Sequence, residues 1–537
     1  MAVFFCFAGA LSNLFVWDDW VFIVRAAGFR GFDARHLRWM FTTTRMGDYT
    51  PLAWLSYAVD YEVWGLNPAG YHLTNVILHA LNAVLFYRLA GLLLRSIFSE
   101  EAPKTLEIGA IVAALAFAAH PLRVESVAWA SERRDVLAGA FSLSTLLLYA
   151  KAAARRDPRS ASRLRALSAA CFAGAALSKA TVVPLPAALL ALDFYPLRRL
   201  GAGENPRERR SRLVEKIPFA AISAAAAAMA VRAQFVSGNL TAAADHGWPS
   251  RLAQALYGAG FYVRETLLPA GLCALYPLSE YRGLLARPAL ESAATIAALI
   301  WTFSALGVPR KAQASLWGYY LAMLLPVLGL MQNGPQLVAL RYSYLSCLGW
   351  ALLAGCAAIR AFRSRKKLFA GNAAALAAMS LWLGSNVWAV QTQIGLWRSG
   401  RSLWESVLRR YPLSPDANVN MAGALLQENE PRDAEAYALS ALRRSPDDPN
   451  ALLTLARILL AENRPAEAMA PLARAAALLP GSAEAQSNAG SILALHGRFA
   501  EAIPYFEKAA RIEPENPSYS GQLNHARHDL RPTESAE

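Results

Sequence analysis

Residues 65–94 read GLNPAGYHLTNVILHALNAVLFYRLAGLLL, and from residue 71 onward this apolar run is long enough to cross a bilayer as one helix. Within the run His72, Asn75 and His79 are spaced three and four residues apart, so they share one face of that helix. The stretch therefore predicts a membrane helix with a polar face. That face either packs through hydrogen bonds against neighbouring helices or lines a functional site.

The composition of the whole chain agrees with a membrane protein. Of its 537 residues, 55% are hydrophobic and 17% are charged, a balance that ordinary soluble proteins of this length do not have. The five cysteines include no CxxC pair, so neither a disulfide framework nor a zinc site is indicated. The net charge of +14 comes from short basic loops between apolar runs, which indicates membrane topology and argues against nucleic-acid binding.

Eleven apolar runs are candidates for membrane spans, which predicts an all-α polytopic helix bundle that contacts the lipid bilayer directly. The runs are 1–17, 71–94, 108–119, 134–150, 164–180, 181–195, 217–232, 288–307, 314–331, 337–359 and 368–390.

The basic loops predict which side of the membrane each segment faces. Residues 151–165 hold six Lys and Arg, 198–216 hold seven and 360–367 hold five, so these loops should face the cytoplasm. Because successive spans cross the membrane in alternating directions, the loop 18–70 and everything after residue 391 then lie outside. The heavy use of Ala, Arg and Leu favours a bacterial inner membrane with the C-terminal part in the periplasm.

A repeat of 34 residues follows the membrane part. Pro446, Pro480 and Pro514 mark its period, and small residues recur in register. They are Ala422, Ala456 and Gly490, then Ala434, Ala468 and Ala502, then Ala441, Ala475 and Ala509. This pattern resembles the tetratricopeptide repeat, in which small residues let paired helices pack closely in an α-solenoid.

The domain boundaries follow from these patterns. We expect a multi-span membrane domain over 1–390, a linker and half-repeat over 391–414, three tetratricopeptide repeats over 415–516, and a cap with a disordered tail over 517–537.

Polar residues recur at successive outer ends of the apolar runs. Four such clusters stand out: Asp18-Asp19, GDYTPLAWLSY at 47–57, AAHPLRVESVAWASERRDVLAG at 118–139, and VALRYSYL at 338–345. Ionisable residues are expensive near hydrocarbon, so their convergence indicates a shared outer cavity.

These stretches resemble the transmembrane and tetratricopeptide-repeat family of C-type glycosyltransferases, relatives of the protein O-mannosyltransferases. The resemblance rests on FVWDD at 15–19, GLNPAGYHLTNVILHALNA at 65–83, HPLRVESVAW at 120–129, LSK at 177–179 and the C-terminal repeats. It implies a polyprenyl-phosphate-linked sugar as donor, a hydroxyl acceptor on the outer face, and an acidic residue of the first outer loop as base.

Asp18 and Asp19 are therefore the candidate catalytic residues. A hydroxyl is a weak nucleophile, so a carboxylate must take its proton as the anomeric carbon is attacked. We favour Asp18 as the base, with Asp19 positioning the acceptor or the loop. The alternative is that the pair caps a following helix.

The leaving phosphate needs cations, because its negative charge grows as the sugar bond breaks. Arg341 is the leading candidate since its guanidinium matches phosphate oxygens. Arg133, Arg134 and Lys179 are further candidates. An interfacial arginine beside tyrosines is the alternative for Arg341.

The remaining polar residues would line the cavity. They are His72, Asn75, His79, His120, Glu125 and Tyr342. The spacing of His72, Asn75 and His79 matches no recognised metal site. Asp18, Glu125 and His120 could ligate a divalent ion, but they come from separate loops, so we assign no metal ligand and no required cofactor.

Two positions depart from the family pattern. Ala180 follows the lysine of LSK where relatives carry an acid, and Leu340 stands before Arg341 where an aspartate is expected. The orientation of Arg341 is thus in doubt.

The sequence thus predicts a membrane glycosyltransferase that transfers a sugar to an extracytoplasmic acceptor, most naturally a protein Ser or Thr hydroxyl, with the repeats recruiting a protein. The alternatives are a non-enzymatic membrane scaffold that displays the repeats and a transporter of lipid-linked sugars.

Overall fold

The structure is a computed structural model, and it describes residues 1–200, 205–236, 247–278, 283, 286–330, 334, 336–363, 369–514 and 517–530. Parts of the basic loops 198–216 and 360–367, and the tail 531–537, lie outside the described residues. The chain divides into two compact units, Met1–Ser399 and Gly400–Glu537. Within the described residues every regular element is helical, which confirms the all-α prediction.

The first unit contains seventeen of the α-helices found in the described residues. They are α1 Ala2–Phe7, α2 Ala34–Thr42, α3 Pro51–Trp64, α4 Pro68–Ile97, α5 Pro103–Ala118, α6 Val124–Ala128, α7 Arg133–Ala153, α8 Pro158–Ser178, α9 Leu185–Phe194, α10 Pro206–Val214, α11 Ile217–Val236, α12 Trp248–Leu267, α13 Arg287–Ala305, α14 Arg310–Leu324, α15 Ser343–Ser346, α16 Leu348–Arg363 and α17 Phe369–Leu396.

Fewer helices than expected meet the length and hydropathy needed to cross a membrane. Among the described residues three do so, Pro68–Ile97, Ala130–Ala153 and Pro206–Val236, and the number rises to five if each of two bent helix pairs is one span. Several predicted runs form helices that are too short, such as α9 with 10 residues. The expected eleven spans are therefore not confirmed.

The bent pairs break where the sequence carries polar motifs. One pair joins α5 to the segment 121–128 with a bend of 54°, and the other joins 340–346 to α16 with a bend of 60°. Pro121 cannot continue the first helix because it lacks an N–H, and His120 Nδ1 instead accepts a hydrogen bond of 3.2 Å from the N–H of Leu122. These breaks place polar side chains inside the bundle.

An aromatic cluster anchors the first loop to α3. Trp54 is fully buried, and its ring lies 5.0 Å from that of Trp39 and 5.5 Å from that of Phe22. Gly28 packs against this cluster so closely that a Cβ would lie 2.3 Å from the Trp39 ring. Buried aromatic side chains contribute large apolar areas, so this cluster orders the loop that carries Asp18 and Asp19.

Helices α5 and α16 cross at two glycines. A Cβ on Gly355 would lie 2.4 Å from the backbone oxygen of Gly109, and a Cβ on Gly109 would lie 2.6 Å from Ile359. Small residues that let backbones approach closely are typical of membrane helix pairs. This contact sets the distance between the two bent spans.

The second unit is built from helical pairs. Its α-helices among the described residues are α18 Gly400–Arg410, α19 Pro415–Gln427, α20 Pro431–Arg444, α21 Pro449–Ala461, α22 Pro465–Leu478, α23 Ala483–Leu495, α24 Phe499–Ile512 and α25 Pro517–Asp529.

The turn inside each pair explains part of the repeat. Asn429, Asn463 and Gly497 adopt left-handed backbone, with φ of 62°, 59° and 72°. Asparagine and glycine accept this conformation more readily than other residues, and it ends a helix through a backbone cap. The three positions are 34 residues apart, so the sequence period reproduces the same helix end three times.

The small repeat residues pack as expected. Ala434, Ala468 and Ala502 are fully buried, and a Cβ on Gly490 would approach the Phe506 ring to 2.9 Å. These residues let the two helices of a pair, and neighbouring pairs, pack at short distance. The predicted tetratricopeptide fold is confirmed.

Replacing Gly355 by Leu should force α5 and α16 apart, because the added side chain meets backbone and not a flexible chain end. We expect a loss of about 1–3 kcal/mol of stability, measured as a lower thermal unfolding midpoint in detergent. Gly384→Leu is the matched control, since a Cβ there meets nothing within 4 Å. Equal midpoints for the two variants would contradict the close crossing.

Candidate functional site

The polar face of α4 is packed and does not line an open cavity. His72, Asn75, His79 and Asn82 are all fully buried. The Nδ1 of His79 lies 2.8 Å from the Tyr344 hydroxyl, and Asn82 Nδ2 donates a 2.8 Å hydrogen bond to the same hydroxyl. For Asn75, His79 and Asn82 the structure favours internal hydrogen bonding, which is one of the two alternatives that the spacing left open.

Asn75 joins α4 to the segment before α7. Its Nδ2 lies 3.2 Å from the carbonyl oxygen of Val127 and 3.1 Å from that of Trp129. Its Oδ1 accepts a 2.7 Å hydrogen bond from Arg133 Nε, and Arg133 Nη1 forms a 2.6 Å ion pair with Asp60. Arg133 is fully buried in these contacts, so the structure does not bring it together with the other predicted phosphate ligands.

Those other ligands converge on Glu132. Its carboxylate lies 2.7 Å from Arg134 Nη2, 2.6 Å from Lys179 Nζ and 3.6 Å from Arg341 Nε. The three cations come from the start of α7, the residue after α8 and the break before α15. Glu132 thus gathers Arg134, Lys179 and Arg341, which the sequence analysis singled out separately.

A ring of further carboxylates surrounds these cations. Arg134 is paired with Asp48, and Lys179 lies 2.8 Å from Asp135. Because a buried charge is costly unless it is paired, these contacts hold the cations ionised and in fixed positions.

Glu125 orients Arg341. Its carboxylate pairs with the Arg341 guanidinium and also accepts a 3.1 Å hydrogen bond from the Arg341 backbone N–H. The guanidinium lies 5.5 Å from the centre of the Trp129 ring and 5.0 Å from that of Tyr342. Glu125 therefore supplies the orientation that Leu340, standing where the family pattern has an acid, does not provide.

Both carboxylate oxygens of Asp19 accept backbone hydrogen bonds. Asp19 is fully buried, and it accepts hydrogen bonds of 3.0 Å from the N–H of Val16 and 2.7 Å from the N–H of Ser131. Burial raises the pKa of Asp19 to about 7, and the two hydrogen bonds oppose that rise. Asp19 precedes the helical turn Trp20–Val24, yet its side chain does not cap that turn.

Asp18 has a different environment. Asp18 is partly exposed to solvent. Burial raises its pKa to about 6, the positive charges of Arg134 and Arg341 oppose the rise, and Glu132 adds to it. Among the described residues, the Asp18 side chain is the one carboxylate of this cluster that has neither a hydrogen bond nor an ion pair.

The backbone before Asp18 is strained. Trp17 adopts left-handed backbone with φ of 51°, which is unfavourable for a bulky residue. Its ring stacks on Trp129 at 4.6 Å with an interplanar angle of 8°, and Trp129 stacks on Trp397 at 5.3 Å. The stacking and the Asp19 hydrogen bonds together hold Asp18 in place.

The last two predicted cavity residues lie at the edge of this arrangement. His120 is buried, with its Nε2 3.0 Å from the carbonyl oxygen of Thr266. Tyr342 is partly exposed beside Arg341, and its hydroxyl lies 3.3 Å from Gln336 Nε2. Across the part of the chain that the structure describes, no three His, Cys, Asp or Glu side chains are arranged to hold a metal ion.

Sequence reasoning missed several residues of the site. Glu132 stands directly before Arg133 and Arg134, so an acid next to two cations at the start of an apolar run was the available signal. Asn82 continues the spacing of Asn75 and His79 on α4. The stacking of Trp17 on Trp129 left no local signal, because 112 positions separate the two residues.

Comparison with known proteins supports the repeats directly. Three family models, each described as a tetratricopeptide repeat, match residues 393–449, 425–489 and 483–516.

The chain is also similar to protein O-mannosyl-transferases of the TMTC family. It is 40% identical over 103 residues to protein O-mannosyl-transferase TMTC2 of Mus musculus, which covers 19% of this chain and 11% of that protein. It is 30% identical over 159 residues to protein O-mannosyl-transferase TMTC4 of Homo sapiens, or 27% of this chain and 22% of that protein. The match to protein O-mannosyl-transferase Tmtc2 of Drosophila melanogaster is 32% over 166 residues, or 30% and 16%.

These comparisons confirm the resemblance: the chain is TMTC-like, over local segments. The alignments span less than a quarter of the length of each of these three relatives.

The two adjacent aspartates should respond differently to the same substitution. Asp19→Asn replaces a carboxylate oxygen by an NH2 group that cannot accept the second backbone N–H, so we expect a loss of about 1–3 kcal/mol. Asp18→Asn should leave stability unchanged or slightly higher, because it removes a desolvated charge with no hydrogen bond. Thermal unfolding of both variants in detergent measures this difference, and equal destabilisation of both would contradict it.

Proposed function

We propose that this protein is a membrane glycosyltransferase that transfers a sugar from a polyprenyl-phosphate donor to a hydroxyl on the extracytoplasmic side, most naturally a Ser or Thr of a protein. The names of the TMTC relatives support transfer of mannose to proteins in general.

The observation that carries the proposal is the contrast between Asp18 and its neighbours. Asp19, Asp48, Glu125, Glu132 and Asp135 are each held by a hydrogen bond or an ion pair. Asp18 is not, and the positive charges of Arg134 and Arg341 act on it electrostatically. A carboxylate that is partly accessible, fixed through its backbone and free at its oxygens suits a general base.

In the proposed reaction Asp18 accepts the proton of the acceptor hydroxyl. The acceptor oxygen forms a bond to the anomeric carbon, and the bond from that carbon to the donor phosphate oxygen breaks. The electron pair leaves with the phosphate, and the polyprenyl phosphate departs as the monoester. Proton transfer of this kind contributes about 10²–10⁴-fold in rate.

Arg341, Lys179 and Arg134 stabilise the departing phosphate. Charge on the phosphate grows in the transition state, so cations that are already fixed lower the barrier without reorganising. Glu132 and Glu125 hold them in position. A donor phosphate that approaches the cluster adds contacts to the remaining N–H groups of Arg341 and Arg134.

The repeats are the proposed acceptor-recruiting module. A tetratricopeptide solenoid binds extended peptides or helices, so a protein acceptor is the natural partner. The predicted topology places the repeats and the Asp18 loop on the same side of a bacterial inner membrane, in the periplasm.

Asp18→Asn should lower sugar transfer by about 10²–10⁴-fold, because the amide cannot accept the proton. The assay uses purified protein in nanodiscs with a polyprenyl-phosphate mannose and an envelope-protein extract, and it follows label in the protein fraction. Glu208→Gln, at an exposed position on α10, is the control and should be as active as the wild type. Full activity in Asp18→Asn would remove Asp18 as the base.

The same assay separates the enzyme from the scaffold alternative. The protein is a non-enzymatic scaffold if two results are found together. The folded wild type consumes none of a panel of lipid-linked sugars, and loss of the repeats disrupts an envelope complex.

Transfer should also decline in acid. The base must be ionised, so with a pKa of about 6 for Asp18 the rate should be constant above that pH and fall about tenfold per pH unit well below it. The measurement is kcat/KM against pH for the wild type and for the residual activity of Asp18→Asn. If the residual activity of Asp18→Asn still falls in acid, the titrating group is not Asp18, and Asp19 is the first alternative to test.

A further inference from the structure

An apolar cleft in the membrane unit shares no lining residue with the charged site. It runs between α4, α9, α14 and α16 and is partly open to the outside. Helix α4 contributes Phe86, Leu89, Leu93 and Ile97 to it, whereas His72 to Asn82 of the same helix face the buried polar network. The cleft begins at Phe86, four residues beyond Asn82 or about 6 Å along the helix axis. The cleft is therefore a separate feature of the membrane unit.

The polar side chains in the cleft wall are already satisfied. Ser315 Oγ lies 2.7 Å from the carbonyl oxygen of Ala191 and 2.6 Å from that of Tyr195, so its single proton is shared between them or donated to one. The Tyr319 hydroxyl donates to the carbonyl oxygen of Leu345 at 2.8 Å. No acidic residue is among the side chains that line the cleft. The interior therefore offers apolar contact and no site for a cation.

One charged residue lines the cleft, and it is Arg360 near the end of α16. Arg360 is exposed, and among the described residues it has no ion pair and no hydrogen bond. A second arginine lies nearby, since the Arg198 guanidinium is 5.7 Å from the centre of the Tyr195 ring, and Tyr195 lines the cleft. An apolar cleft with Arg360 in its lining and Arg198 nearby matches a molecule that has a hydrocarbon chain and an anionic head group.

We propose that this cleft binds one acyl chain of an anionic phospholipid from the cytoplasmic leaflet, with the lipid phosphate at Arg360. Arg198 and Arg360 belong to the two basic loops that the sequence places on the cytoplasmic side. Anionic lipids collect in that leaflet, and basic pockets between membrane helices bind their headgroups. The site is distinct from the Asp18 cluster and does not depend on sugar transfer.

The binding has a structural consequence. The cleft lies between four helices that belong to both the early and the late parts of the unit, so a bound acyl chain would fill the space between them and add apolar contacts to each. Such a lipid stabilises the folded state by binding it and not the unfolded chain.

Retention of lipid by the purified full chain tests the proposal. The protein is exchanged into detergent with phosphatidylglycerol or phosphatidylcholine, and bound lipid is counted by native mass spectrometry. We expect one retained phosphatidylglycerol and much weaker retention of phosphatidylcholine. Arg360→Gln should bind phosphatidylglycerol about fivefold more weakly.

Two variants control for charge and for the cavity. Arg163→Gln removes the same charge from an exposed position in the first turns of α8, within the basic segment 151–165. This variant should bind phosphatidylglycerol like the wild type. Ala312→Phe places a ring in the cleft while keeping Arg360, and it should also lose the lipid. Size-exclusion chromatography and helicity confirm that each variant is folded.

Three results would overturn the proposal. Equal weakening in Arg163→Gln and Arg360→Gln would show that the lipid follows general surface charge. Equal retention of phosphatidylcholine would show that no anionic head is selected. Displacement of phosphatidylglycerol by an equimolar polyprenyl phosphate would assign the cleft to a prenyl lipid instead. None of these results depends on whether the protein transfers a sugar.

Discussion

The ion pairs of Glu132 organise the membrane unit. A carboxylate and three cations buried together would each be costly alone, so the folded chain has to bring them into contact. Glu132 lies 2.7 Å from Arg134 and 2.6 Å from Lys179, with Arg341 at 3.6 Å. Because these residues come from the start of α7, the end of α8 and the break before α15, pairing them determines how those three elements meet. The other features of the site follow from this junction.

Asp18 is the exception to this pairing, and its unpaired carboxylate is what could accept a proton in the proposed reaction. Asp18 is left without a hydrogen bond or ion pair among the described residues. Its neighbour Asp19 accepts the N–H of Ser131 with one oxygen and the N–H of Val16 with the other. Maintaining an unpaired carboxylate and the left-handed Trp17 requires support from elsewhere. The stacked rings of Trp17, Trp129 and Trp397 and the aromatic cluster around Trp54 supply that support. These aromatic contacts of the loop thus surround Asp18, the residue proposed to react.

The two units follow different physical rules. In the repeat unit each contact lies between neighbouring helices, so a period of 34 residues is enough to specify small residues at Ala434, Ala468 and Ala502 and left-handed turns at Asn429, Asn463 and Gly497. In the membrane unit the decisive contacts join distant parts of the chain, such as Glu125 with Arg341, which are 216 positions apart. The first kind of contact leaves a periodic signal and the second does not.

The sequence by itself determined the helical class, the tetratricopeptide repeats and the set of polar segments that meet in the site, because periodicity and charge in apolar runs are local properties. It also singled out Asp18, Arg134, Lys179 and Arg341. Only the tertiary structure decided that Asp18 and Asp19 have different environments, that Glu132 joins the cations, and that Arg133 is engaged elsewhere with Asp60. It also showed that His79 of α4 contacts the Tyr344 hydroxyl and the carbonyl oxygen of Ala118. The reason is that the ion pairing and desolvation of these side chains depend on which distant residues come into contact. The spacing of residues along the chain does not specify those contacts.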